Sequence, residues 1–409
     1  MWRSLHDTWW RLTTTPPPVF GTKGQPRLSD TLAPPSAGQT GGGATPSHPF
    51  TDNILRGLLR GGALLYGAAV AARNRAYDRG WVRQARLPCP VISIGNLSLG
   101  GTGKTTCVES LATRLLQRGL RVCILSRGYG GKARRPYWLL HRQGRLLVNG
   151  QPAATRDGLP DEPQLLAWHL SGVPVVIGAA REQTGRLACE EFQPAALILD
   201  DGFQHRRLFR DLDLVLVNAR MPLSGWPIFP HGPMREPLAS LSRAQVIVVT
   251  KVDQSRELVA ALQERLRMIN PGALIATAMH EPDTLQDLAG EMPVPLDRLT
   301  GMSVSLVSSI GDPDGFEQTV RQLGSSVVSH AVYPDHHAYS RRDWDEVVQG
   351  ACAAGAQALV TTEKDAVRLF AFKDVAASAA LPVWVLRVRM RFLSFEAELD
   401  ARLAGVCAR

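Results

Sequence analysis

The run Ser98-Leu-Gly-Gly-Thr-Gly-Lys-Thr105 constrains this chain more than any other feature, because it follows an apolar run at 91–94 and opens a helical pattern reaching about residue 116. It approximates G-x-x-x-x-G-K-[ST], with Ser98 in place of the first Gly. In that context backbone N–H groups at a helix N-terminus converge on a phosphate, Lys104 neutralises it, and the Thr105 hydroxyl suits Mg²⁺. Gly100, Gly101, Thr102, Gly103, Lys104, Thr105 and Thr106 are therefore the candidate nucleotide contacts.

The rest of the chain repeats the same strand, loop and helix logic. Apolar, β-branched runs at 91–94, 122–125, 173–177, 196–199, 214–217 and 246–250 alternate with helical patterns, which predicts a parallel sheet covered by helices on both faces. Two runs at 137–141 and 145–148 predict an inserted hairpin. A second, smaller set follows, with strands at 303–307, 326–330, 358–361 and 383–388 and helices at 314–323 and 341–353. Pro282, Pro293 and Pro295 are expected to interrupt regular structure between the sets. The expected architecture is α/β: a P-loop NTPase-type parallel sheet domain over 86–290 and a smaller Rossmann-like α/β domain over 296–392. A C-terminal helix is expected within 393–409.

Composition excludes several other classes. Of 409 residues, 44% are hydrophobic and 20% charged, which fits neither a fibrous chain nor a disordered one. The longest apolar stretch, 61–72, falls short of the ~18 residues that a membrane-spanning helix needs. The six cysteines form no C-x-x-C pair, so neither a zinc cage nor a disulfide framework is expected.

The net charge of +9 is concentrated in one place: residues 54–87 carry seven arginines against Asp78 alone. Within that segment Leu55, Leu58, Leu59, Leu65, Tyr66 and Ala69 recur near helical spacing. With Tyr77 and Trp81 nearby, residues 51–85 read as an amphipathic basic helix suited to an anionic membrane surface, the alternative being a core-packing helix with a basic rim. No nucleic-acid partner is expected. Residues 1–50, rich in Pro, Gly, Thr and Ser, read as a disordered or targeting tail.

Four further runs are candidates for chemistry. Asp200-Asp201 at a strand end supplies the carboxylates that hold Mg²⁺ beside a P-loop. Asp161-Glu162, between Pro160 and Pro163, is an acid pair at a helix start. In Asp335-His336-His337 the histidines lack a Cys or a third His nearby, so proton transfer with a carboxylate is favoured over metal binding. Thr250-Lys-Val-Asp253 is similar to the base-recognition loop of GTPases.

Together these residues resemble the tetraacyldisaccharide 4′-kinase family. The matching runs are 91–96 into 100–105, Ser126-Arg-Gly-Tyr-Gly-Gly131, Asp161-Glu-Pro163, Asp200-Asp-Gly-Phe-Gln-His205, Arg235-Glu-Pro237, Asp335-His-His337 and Thr361-Thr-Glu-Lys-Asp365. The resemblance implies ATP and Mg²⁺ as cofactors, with a lipid A disaccharide 1-phosphate as substrate. It also implies a peripheral position on the cytoplasmic face of the bacterial inner membrane, or an organelle if the tail is a transit peptide. It gives Asp161 a partner in His336, with His337 the alternative, and places Arg235 in the active site. Thr105, Asp200, Asp201 and Glu162 are the implied metal-linked residues. The rival class is a nucleotide-dependent switch or metal-insertion GTPase, motivated by the 250–253 run. Deleting residues 1–50 is expected to leave activity nearly intact, because a segment so poor in apolar content adds no core. Loss of activity in a truncated, folded protein would give the tail a role.

Overall fold

The computed structural model describes residues 49–129, 131, 135–153, 158–220, 226–288, 293–376 and 380–408, with the side chains of 49–54 outside the description. The expected tail thus lies almost wholly outside the described residues.

Val91–Asn96 is buried at every position, as a strand covered on both faces must be. It pairs in parallel with Ala196–Asp200 on one side, Ile92 opposite Ile198, and with Leu212–Asn218 on the other, Ile94 opposite Leu214. Parallel pairing continues outward to Val122–Ser126 and Val175–Ile177 in one direction and to Val246–Thr250 in the other. The hairpin of Tyr137–Arg142 and Arg145–Val148 adds antiparallel strands at one edge. Helix Lys104–Gln117 packs Cys107, Val108, Leu111 and Leu115 on one face of this sheet, together with Leu399, Leu403 and Val406 of Glu396–Cys407. The C-terminal helix thereby belongs to the core of the first half.

A second α/β set joins the same sheet. Leu274–Asp287 begins in parallel with Val246–Thr250 and, from Ala278 onward, pairs antiparallel with Val383–Phe392. Beyond that ribbon Ala358–Thr362, Ser303–Ser308 and Ser326–Val332 pair in parallel. Among the described residues the result is one sheet of 15 strands. Pro282 does not interrupt it, contrary to expectation. The strand runs through with a register shift between Pro282 and Thr284, and the Val388 amide opposite donates instead to the Glu363 carboxylate. A proline is tolerated there because the ladder is already irregular.

The basic segment forms helix Pro49–Asp78, docked on the first half. Ala63, Val70 and Asn74 are buried. The fully buried Glu236 takes Arg73, Arg243 and the Asn74 amide, while Arg206 donates to Asp78 and to the Asn74 carbonyl. The expected single apolar face is therefore split. One stripe packs inward, and Leu58, Leu64 and Leu65 point out with exposures of 69%, 76% and 76%. Glu236→Ala is expected to destabilise the protein by about 3–5 kcal/mol, since it leaves paired guanidinium groups without their buried partner. The denaturation midpoint measures this, and a change under 1 kcal/mol would refute the locking role.

Candidate active site

The glycine loop has the backbone the sequence requires. Gly100 and Gly103 adopt φ of 103° and 84°, which L side chains rarely adopt. Asn96 donates to the Thr102 hydroxyl at 2.9 Å, and the Thr250 hydroxyl donates to the Thr102 carbonyl at 3.1 Å. At Gly103 an added Cβ would lie 2.4 Å from His280 Nε2, so a side chain is excluded as well as strained. Helix Lys104–Gln117 starts with no side-chain cap and no acid in its first turn, which leaves its N–H groups and positive dipole end for an anion. Thr106 donates to the Gly103 carbonyl and closes the loop from inside.

The aspartate pair stands beside this loop at the end of Ala196–Asp200. Asp201, at φ 51°, turns toward Lys104 at 3.6 Å and takes both Nη1 bonds from Arg235, at 2.8 and 3.0 Å. Burial would raise its pKa, but those two cations outweigh burial and lower it. Asp200 lies behind and takes the Ser126 hydroxyl at 3.4 Å. Burial and the neighbouring Asp201 raise it to about 6, outweighing the positive charges of Lys104 and Arg181. Among the described residues no three carboxylate, histidine or cysteine side chains converge as a metal cage. Glu162, implied as metal-linked, lies 3.3 Å from Lys364 and 3.8 Å from His336 Nε2.

The second half covers the cleft. Gly311 lies beside the loop, where an added Cβ would be in ordinary contact with the Gly101 amide at 3.5 Å. Lys251 bonds Asp312, which also takes Arg220 at 3.3 Å, so the run compared with a GTPase base-recognition loop is used to tie the two halves.

Asp161 opens helix Asp161–His169, and His336 reaches it from 175 residues away, Nδ1 to Oδ2 at 3.3 Å. His336 holds φ 60°, a left-handed conformation that turns its ring into the cleft side of the 333–337 segment. His337 points elsewhere: it bonds Asp343 at 3.1 Å and stacks on Tyr333 at 4.6 Å. Of the two histidines the geometry selects His336.

Sequence reasoning missed Arg368 and gave Lys364, within the matched 361–365 run, no role. Arg368 Nε donates to Asp161 Oδ2 at 2.8 Å, and its Nη1 bonds the Ser309 hydroxyl. Their helix, Glu363–Leu369, is capped by Thr362 on the Asp365 amide, so the Thr-x-x-Asp spacing was the available signal. Burial alone would raise the Asp161 pKa, but the His336 bond and the Arg368 charge lower it. The bond to Asp161 raises His336.

Strand, uncapped loop helix, lysine and paired aspartates define a P-loop nucleotide-binding fold, and the Asp161–His336 contact joins its two halves. Residues 55–407 match the family model for tetraacyldisaccharide-1-P 4′-kinase, and the chain belongs to that family. It is 38% identical over 341 residues to the tetraacyldisaccharide 4′-kinase of Syntrophus aciditrophicus, covering 82% of this chain and 88% of that one. It is 41% identical over 359 residues to that of Anaeromyxobacter sp. (strain K), covering 85% and 92%. Among solved structures it resembles LpxK from Aquifex aeolicus in complex with ATP, at a TM-score of 0.67 and 31% identity over 86% of this chain and 99% of that one.

If Asp161 must be ionised to act, Arg368→Ala is expected to move the acid limb of the pH–rate profile upward, because removing the cation lets the Asp161 pKa rise. An unmoved acid limb would separate Arg368 from Asp161.

Proposed function

We propose that the chain transfers the γ-phosphoryl group of ATP to the 4′-hydroxyl of a lipid A disaccharide 1-phosphate, with Asp161 accepting the hydroxyl proton. One observation carries this reading: Asp161 and His336 come from opposite halves of the chain and meet 3.3 Å apart beside the phosphate loop. Both the His336 and Arg368 bonds fall on Oδ2, which leaves Oδ1 for the substrate hydroxyl. The oxygen–phosphorus bond forms as the bond to the ADP oxygen breaks, and the proton passes to Asp161. Lys104 and the loop amides bind the β- and γ-phosphates. Arg235 keeps Asp201 ionised and contributes positive charge.

The residues present fit Mg²⁺: Thr105 and Asp200 would hold it, with Asp201 adjacent, and when bound it neutralises charge on the phosphate oxygens. The raised pKa of Asp200 fits a site made for a cation. Glu162, held by Lys364, orients that lysine toward the cleft. Residues 86–290 and 296–392 act as two bodies whose closure excludes water, since water in the cleft would hydrolyse ATP unproductively.

The lipid is reached from the cytoplasmic face of the inner membrane, where ATP is available. Among the described residues no helix is long and apolar enough to cross a membrane. The outward stripe of Leu58, Leu64 and Leu65, with Arg56 beside it, supports a helix lying in the headgroup region. Arg73 is committed to Glu236 and so serves docking rather than lipid.

Asp161→Ala and His336→Ala are each expected to lower kcat by about 10²–10⁴-fold with little change in KM for ATP. The double variant should be hardly worse than the poorer single one, and multiplicative losses would overturn the shared role. Phosphorylation of a lipid A disaccharide 1-phosphate by the purified protein tests the reaction itself. Replacing Leu58, Leu64 and Leu65 with Gln is expected to weaken binding to anionic vesicles by about tenfold per leucine, at roughly 1.5 kcal/mol each. Unchanged sedimentation with vesicles would return the helix to a purely docking role.

A further inference from the structure

A second charged cluster lies buried outside the reacting groups. His169, the last residue of the Asp161 helix, has Nδ1 3.0 Å from Glu109 Oε2 and Nε2 2.7 Å from Glu363 Oε1. The three side chains are only 8%, 12% and 9% exposed. Glu109 stands in the second turn of the helix that Lys104 opens, and Glu363 is the first residue of the helix carrying Lys364 and Arg368. Arg387 of the ribbon strand faces both carboxylates and Asp283.

Burying charges costs several kcal/mol per ion before pairing returns it, and apolar residues of similar volume hold helices together at least as well. What an imidazolium adds is one buried cation, hydrogen-bonded to Glu109 and within ion-pair distance of Glu363, that two carboxylates on different helices share. Here those carboxylates sit on the phosphate-loop helix and on the Lys364 helix, and the bridging ring sits on the Asp161 helix. The Asp161 and Lys364 helices also meet through Asp161–Arg368, Glu162–Lys364 and the edge-on Trp168–Phe370 rings.

We propose that His169 is a positioning residue for the transfer reaction: clamped between Glu109 and Glu363, it holds the Asp161 helix and the Lys364 helix in register with the phosphate loop. The assignment rests on the reaction proposed above. Burial would lower the His169 pKa, but the two carboxylates outweigh it and raise it to about 9. The clamp therefore exists through neutral pH and weakens as the ring loses its proton near pH 9.

The test compares kcat against pH for the full-length protein and for His169→Gln, His169→Lys and Glu363→Gln. His169→Gln is expected to lower kcat by about 10²-fold, the scale of a small misplacement of reacting groups, with KM for ATP nearly unchanged. In the unaltered protein kcat should fall through about pH 9. His169→Lys, cationic to a pKa near 10.4, should restore much of the rate and move that alkaline limb upward. Glu363→Gln should move it downward. A limb that stays in place in both variants overturns the proposal, as does a folded His169→Gln protein with kcat within twofold of normal. If His169→Lys does not fold, the shift in Glu363→Gln decides. If the unaltered protein phosphorylates no lipid, the reaction assignment falls, and amide hydrogen exchange decides the positioning claim. Glu363→Gln should then speed exchange about tenfold in both 161–169 and 363–369, and unchanged exchange overturns it.

Discussion

Asp161 can meet His336 across 175 residues because one pair of long strands carries both halves of the chain into a single sheet. Leu274–Asp287 leaves the first half in parallel register and enters the second as the antiparallel partner of Val383–Phe392. Everything at the site depends on that continuity. The phosphate loop lies at the end of Val91–Asn96 on one side of the ribbon, while the 309–312 and 333–337 segments lie at strand ends on the other. Ligand clefts form beyond the carboxyl ends of parallel strands, and here two such ends face each other. His280, on the ribbon itself, fills the space behind Gly103, so the loop and the connection between the halves are in direct contact. Burial and the charge of Lys251 lower that histidine to about 4, which keeps it neutral beside a loop meant for anions.

The electrostatics of the cleft follow one rule. Lys104, Arg235, Lys364 and Arg368 are each held by a carboxylate, Arg368 by both Asp161 and Asp365. A cation so paired is oriented without being spent, because phosphate oxygens can share it. Asp200 alone carries a raised pKa, and it alone among these acids has no guanidinium or ammonium group within bonding distance. Two adjacent acids thus sit in different surroundings: Asp201 balances fixed positive charge, and Asp200 is buried with no ion pair of its own among the described residues.

Much of this was legible in the sequence where the cause is local. Gly100 and Gly103 announce the loop because only glycine takes their backbone freely, and the all-apolar strands announce burial on both faces. The pairing of Asp161 with His336 was legible through family resemblance, since no spacing rule links residues so far apart. Of Arg368 only its helix was legible, from the Thr362 cap on Asp365, and not its contact with Asp161. Arg368 sits one helical turn beyond Lys364, in a run that reads as a solvated helix until the Asp161 helix is packed against it. Pro282 misled for the opposite reason: proline usually ends a strand, yet a strand whose ladder is already broken can keep it. Leu58 and Leu65 share helical spacing with Leu59 and Tyr66, and spacing alone does not say which stripe meets protein.

Adjacent residues join the outermost element to the innermost one. Arg235 faces Asp201 in the cleft, and Glu236, next in the chain, anchors Arg73 and Asn74 of the basic helix. Tyr66 of that helix donates its hydroxyl proton to the Arg235 carbonyl at 3.1 Å, and the Arg235 amide bonds the Leu97 carbonyl at the root of the phosphate loop. Two hydrogen bonds therefore separate the exposed leucine stripe from the nucleotide loop. Their rigidity has a physical source, since the Glu236 carboxylate is fully buried and its bonds to Arg243 and Asn74 lie in the interior. Locking the basic helix to the residue beside Arg235 makes the placement of its exposed leucines relative to the nucleotide loop a property of the fold.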